Sequence, residues 1–130
     1  MKKPPLGLTQ IFWGEGKGKT TAALGAALRA CGQGYTVHLV QFMKNGTGNA
    51  DMDNPGELRA LENIPNFSYK RFGAGSWVTR TKNPRHEDSV REAVLYLKYC
   101  FGKYNFLIAD EILYSVPIFL SKRDSTVNKR

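Results

Sequence analysis

Gly14, Gly16 and Gly18 alternate with Glu15 and Lys17 and run straight into Lys19, Thr20 and Thr21. Glycines at this density let the backbone turn tightly enough to aim several N–H groups at one point, and such a nest binds phosphate oxygens. Lys19 adds a mobile positive charge, and the Thr20 hydroxyl is placed to join a Mg²⁺ shell. The usual phosphate-loop spacing would put its first glycine at Trp13, so the loop is one residue short. A glycine turn without a ligand would share the glycines. Gly-Lys-Thr-Thr set between an apolar run, Leu8 to Trp13, and the alanine-rich stretch from Thr21 to Leu28 points instead to nucleotide or polyphosphate binding.

Asp110 and Glu111 are the second chemical element. They follow the apolar residues Phe106 to Ala109, and a parallel strand that ends in carboxylates brings acidic groups beside a phosphate loop. One carboxylate can hold Mg²⁺ directly or through water, and the ion offsets triphosphate charge. A plain helix cap would also explain an Asp-Glu pair taken alone. Gln41 and Lys44 lie at the carboxyl end of another strand-like run, where open α/β sheets place their ligands. His38, in the middle of that run, reads as a structural histidine facing a helix.

These groups need a sheet and helices to converge. Leu8–Trp13 reads as a first, buried parallel strand, and residues 19–31 as a helix ending at Gly32-Gln33-Gly34. Gly25 within that helix suggests close contact with a neighbouring strand. Tyr35–Phe42 is rich in β-branched and aromatic residues and predicts a second strand. A polar loop over 45–55 precedes a short helix over 56–63. Phe67, Tyr69 and Arg71 alternate in a third strand that runs to Phe72, and the turn Gly73-Ala74-Gly75-Ser76-Trp77 follows it. Val90, Ala93, Val94, Leu97 and Phe101 fall at helical spacing, so residues 87–101 should lie on the sheet and stop at Gly102. The expected architecture is a three-layer α/β fold of the P-loop type with a mostly parallel central sheet, in one nucleotide-binding domain over 1–130. Residues 121–130 read as a flexible polar and basic tail.

With 130 residues and 42% hydrophobic content, the chain is long enough for a small α/β core. Its formal charge of +8 suits an anionic partner, and the excess is concentrated in residues 66–109. Cys31 and Cys100 lack metal-ligand spacing and read as buried thiols of a reducing compartment. No window has transmembrane length, so a cytoplasmic protein without a membrane segment is expected.

In combination these segments resemble the P-loop type ATP:corrinoid (cobalamin) adenosyltransferases. The resemblance runs through Gly14-Glu15-Gly16-Lys17-Gly18-Lys19-Thr20-Thr21-Ala22-Ala23-Leu24-Gly25, including the short glycine loop. It continues in Val40-Gln41-Phe42-Met43-Lys44-Asn45-Gly46, in Gly73-Ala74-Gly75 and in Leu107-Ile108-Ala109-Asp110-Glu111-Ile112-Leu113-Tyr114. It implies a homodimeric enzyme that transfers the 5′-deoxyadenosyl group of ATP to the reduced cobalt of a corrinoid and releases triphosphate. A corrinoid reductase is an implied partner. On that resemblance Gly16, Gly18, Lys19 and Thr20 stabilise charge on the leaving triphosphate, and Lys44 adds to it. Thr20, Asp110 and Glu111 organise Mg²⁺ or Mn²⁺, and Trp77 lies towards the corrinoid.

Three features depart from the family pattern. Trp13 replaces a small polar residue before the loop, and Ser76-Trp77-Val78 displaces or removes an aromatic after the third-strand glycines. The family's later strands are missing after about residue 120, which raises the reading of a catalytically impaired member. Two further readings use the same residues: another P-loop NTPase or small-molecule kinase, and a nucleotide-dependent nucleic-acid-binding module that draws on Arg80, Lys82, Arg85 and Arg91. The last is disfavoured because aromatic residues are not interleaved with those bases.

Overall fold

A computed structural model describes residues 7–13, 18–42, 55–73 and 84–112, without the side chains of 84–86. Its elements are α1 (Lys19–Gly32), β1 (Val37–Gln41), α2 (Gly56–Leu61), β2 (Phe67–Arg71), α3 (Pro84–Cys100) and β3 (Phe106–Asp110). The three strands form one parallel sheet in the order β2-β1-β3. This is an α/β fold of the P-loop NTPase-like kind, with helices on both faces of the sheet.

Period two along the strands divides the core in two. Val37, Leu39, Phe67 and Ile108 pack with Leu24, Ala27 and Cys31 of α1 and Leu58 and Leu61 of α2. Val40 and Phe42 face the other way, against Ala93 and Leu97 of α3. Leu24, Ala27 and Cys31 recur at one-turn and two-turn spacing, and the missing bulk at Ala27, fully buried, lets α1 approach the sheet. Polar side chains lock the amino end: Asn105 Oδ1 accepts from the Thr36 backbone N and hydroxyl, each at 3.0 Å. Asn66 Nδ2 donates to the carbonyls of Cys31 and Tyr35, which ties the end of α1 to β2.

His38 is buried on the α3 face, as a structural histidine should be. Its Nδ1 lies 2.7 Å from Ser68 Oγ and its Nε2 lies 2.8 Å from Tyr96 Oη. A neutral imidazole donates with one nitrogen and accepts with the other, and two hydroxyl partners satisfy either tautomer. Tyr104 stacks on the ring with centroids 4.4 Å apart. Burial lowers the His38 pKa, and Lys70 of β2 adds to that effect against the opposing bond to Ser68. Tyr96 is pushed up to about 12, first by burial and then by its hydrogen bond with Cys100, so it stays a neutral phenol. Both cysteines are free and buried, as expected.

Four expectations need correction. Residues 7–13 form no strand, and Leu8, Ile11, Phe12 and Trp13 are exposed instead of buried. An apolar run expresses a local preference, whereas a parallel strand exists only through a ladder to a neighbour, and among the described residues β3 pairs with β1 alone. Gly25 makes no close contact: a Cβ there would meet nothing within 4 Å, because the residue lies on the solvent side of α1. α3 begins at Pro84 and not at Glu87, since proline's fixed φ and missing N–H suit a first helical turn. Phe101 leaves the apolar stripe and is exposed, because α3 ends at Cys100 and Gly102, with φ 82°, turns the chain out of the helix. Cys100 takes the buried position in its place. The tail over 121–130 lies outside the described residues.

Two outcomes follow from these environments. Gly25→Ala should stabilise the protein by about 0.5–1 kcal/mol in urea unfolding, the ordinary gain at an open helix-interior site. His38 has a depressed folded pKa, so the stability it contributes is complete above its unfolded pKa, near 6.5, and is lost as pH falls towards the folded value. Thermal melts of the wild type should therefore drop as pH falls below about 6.5, and His38→Gln should flatten that part of the profile.

Candidate functional site

Register decides what stands at the carboxyl end of the sheet. Val37 pairs with Phe67 and Phe106, Leu39 with Tyr69 and Ile108, and Gln41 with Arg71 and Asp110. All three rows face α1, so two apolar rows end in a third that is wholly polar. Gln41 Nε2 donates to Asp110 Oδ2 at 2.8 Å, and Arg71 Nε donates to Gln41 Oε1 at 2.8 Å. Gln41 is 2% exposed, so these bonds replace water that cannot reach it.

Thr20, in the first turn of α1, closes the arrangement. Its hydroxyl lies 3.1 and 3.2 Å from the two Asp110 oxygens and can only donate to the ionised carboxylate. Hydrogen bonds to a charged group contribute about 1.5–3 kcal/mol, against roughly 1 kcal/mol for neutral pairs. The start of α1 is thereby tied to the end of β3, ninety residues away in sequence.

Gly18 precedes α1 with φ 68° and ψ 37°, a left-handed conformation that favours glycine. Gly18 offers no side chain as a cap, and the first turn holds no acidic residue. The N–H groups of that turn and the positive end of the helix dipole suit an anion at Lys19, Thr20 and Thr21. Oxygen donors from Thr20 and Asp110, with Glu111 next in the chain, suit a hard cation such as Mg²⁺. Among the described residues no cluster of three or more His, Cys, Asp or Glu side chains forms.

Glu111 has φ 64°, the one positive φ at a non-glycine position among the described residues. A left-handed glutamate costs roughly 1–2 kcal/mol, and strain of this kind gathers at functional sites. It turns the chain off β3 immediately after Asp110.

Thr20, Gln41 and Asp110 are therefore brought together, and Gly18, Lys19, Thr21 and Glu111 stand beside them in the chain. Gly14, Glu15, Gly16, Lys17, Lys44 and Trp77 lie outside the described residues. Arg71 was not among the expected site residues. The alternation Phe67, Tyr69, Arg71 carried the signal, because it puts Arg71 on the same face as Phe67 at the carboxyl end of its strand. A cavity of about 340 Å³ lies at the opposite, amino end of the sheet, lined by Arg29, Gln33, Tyr35 and Asn105 among others, and is remote from this chemistry.

A glycine-led helix start joined through threonine to a strand-end carboxylate fits an α/β fold of the P-loop NTPase-like class. More narrowly, the sequence pattern of the ATP:corrinoid adenosyltransferase BtuR/CobO/CobP family matches residues 6–128, and the chain belongs to that family. It is 51% identical over 45 residues to the corrinoid adenosyltransferase CobA of Salmonella typhimurium and to the corrinoid adenosyltransferase of Escherichia coli K12. Each match covers 35% of this chain and 23% of the relative. An uncharacterized protein of Nostoc is 32% identical over 123 residues, which cover 85% of this chain and 32% of that protein. Among the described residues no helix is long and apolar enough to cross a membrane.

Comparison of Glu111→Gly with Glu111→Ala removes the side chain in both and isolates the backbone. The glycine variant should be more stable by roughly 1 kcal/mol in urea unfolding, and equal stabilities would mean that position 111 is not held in the left-handed region.

Proposed function

We propose that this chain binds Mg-ATP at Gly14–Thr21 and transfers the 5′-deoxyadenosyl group to the reduced cobalt of a corrinoid, with inorganic triphosphate leaving. The observation that carries the reading is the Thr20–Asp110 contact, which couples a glycine-led helix start to a strand-end carboxylate in a chain of this family. The backbone N–H groups at the start of α1 hold triphosphate oxygens, and Lys19 neutralises negative charge as it accumulates on the leaving group. Thr20 donates its hydroxyl hydrogen bond to Asp110 and keeps its oxygen lone pairs for Mg²⁺, with Glu111 next in the chain. Mg²⁺ or Mn²⁺ supplies charge compensation for the triphosphate. In the transfer the reduced cobalt attacks C5′ of ATP, the cobalt–carbon bond forms with the cobalt electron pair, and the C5′–O bond breaks towards triphosphate. No side chain of this protein needs to act as nucleophile.

Lys44 fits as a further charge at the phosphate end, and Trp77 as a residue on the corrinoid side. A homodimer and an electron-donating reductase partner complete the reading, in a cytoplasmic setting. A kinase or NTPase would use the same loop but would yield a phosphorylated acceptor or free phosphate.

The test mixes purified protein with Mg-ATP and chemically reduced cob(I)alamin, follows the corrinoid spectrum and assays triphosphate. Adenosylcobalamin with stoichiometric triphosphate is expected, and Lys19→Ala should lower the rate roughly 100-fold, the usual loss for one charge-stabilising donor. Free phosphate without adenosylcobalamin would instead establish the NTPase reading, and ATP binding without either product would assign the chain to an impaired member.

A further inference from the structure

We propose that Arg71 is a positioning residue of the phosphate site, acting through Gln41 on Asp110 and Thr20; the inference rests on the Mg²⁺–triphosphate reading of that site. A primary amide can turn over and exchange its donor and acceptor ends. Beside Arg71 that freedom is removed. A guanidinium only donates and an ionised carboxylate only accepts, so the two neighbours of Gln41 demand the same orientation: carbonyl towards Arg71 Nε, amide nitrogen towards Asp110 Oδ2.

The direction then propagates. Asp110, pinned from one side by Gln41, accepts the Thr20 hydroxyl from the other, and the Thr20 proton is committed to it. What Thr20 has left to offer is its oxygen lone pairs, the donor a hard cation requires. With Arg71 removed, only the Asp110 carboxylate still holds the Gln41 amide in this orientation, so the amide swings more widely and grips Asp110, and through it Thr20, less firmly.

Groups that orient metal ligands from behind typically change metal affinity by about 10–100-fold. Arg71 acts through two intermediaries, which places its effect near roughly 10-fold. Arg71 is only half-buried on β2 and can be substituted without emptying the core.

The experiment is a double-mutant cycle on the full chain with Arg71→Leu, Gln41→Leu and the pair, reading the Mg²⁺ concentration at half-maximal ATP binding, with ATP affinity in EDTA as the control. Arg71→Leu should raise that Mg²⁺ concentration roughly 10-fold and leave affinity in EDTA near the wild-type value. Arg71→Lys, which keeps a donor and no acceptor, should recover most of the loss. The effect of the double variant should fall well short of the product of the two single effects, because the influence of Arg71 on Asp110 passes through Gln41. Independent, multiplying effects would overturn the proposal. In ligand-free protein, the Gln41 side-chain amide signals in NMR should be displaced in Arg71→Leu. Unchanged signals there would overturn the relay whether or not nucleotide binds, whereas failure of the wild type to bind Mg-ATP would overturn the phosphate-site reading.

Discussion

The structure turns on one in-register polar row, Arg71–Gln41–Asp110, and its bond to Thr20. A polar row at the end of an apolar sheet face is tolerable only if every donor meets an acceptor, since an unsatisfied buried group costs about 1–3 kcal/mol. Here the sequence donor, amide, carboxylate, hydroxyl alternates correctly from β2 to α1. The same bonds that remove the burial penalty fix where the helix start lies relative to the end of β3. Folding and site geometry therefore share one constraint.

The two faces of the sheet divide the work. On the α1 face the carboxyl end is polar and faces the helix start, where negative ligands are favoured. On the α3 face the buried polar group is His38, whose two nitrogens are both taken by hydroxyls and whose ring is covered by Tyr104. Lys70 adds a cation over Tyr96, 4.6 Å from its centroid. This second network is saturated and enclosed, so it specifies packing. The first contains a hydroxyl oxygen with lone pairs to spare and a glycine-led helix start, so it can meet a ligand.

Membership of the corrinoid adenosyltransferase family is carried by a match over nearly the whole chain. Arg71, Gln41 and Asp110 form one hydrogen-bonded row behind the start of α1, and on the proposed reading that row supports the phosphate site. The strained Glu111 fits the same picture, because a left-handed glutamate directly after Asp110 is held by its surroundings and not by its own preference.

Much of this was legible in the residues. The alanine-rich stretch ending at Gly32-Gln33-Gly34 and the helical spacing of Val90, Ala93 and Leu97 announced the two flanking helices, β-branched and aromatic residues marked β1, and alternation at Phe67, Tyr69 and Arg71 marked β2. Those patterns are local, and local sterics and burial set them. The apolar run at 8–13 was legible in the same way and misled, because an apolar segment carries no record of whether a neighbour will pair with it. Gly25 misled similarly, since a glycine looks the same facing a strand or solvent. Register was beyond the sequence: nothing local states that Gln41, Arg71 and Asp110 share one row or that Thr20 meets Asp110 across ninety positions. Only the packed sheet decides that, because strand alignment is a non-local balance of both core faces at once.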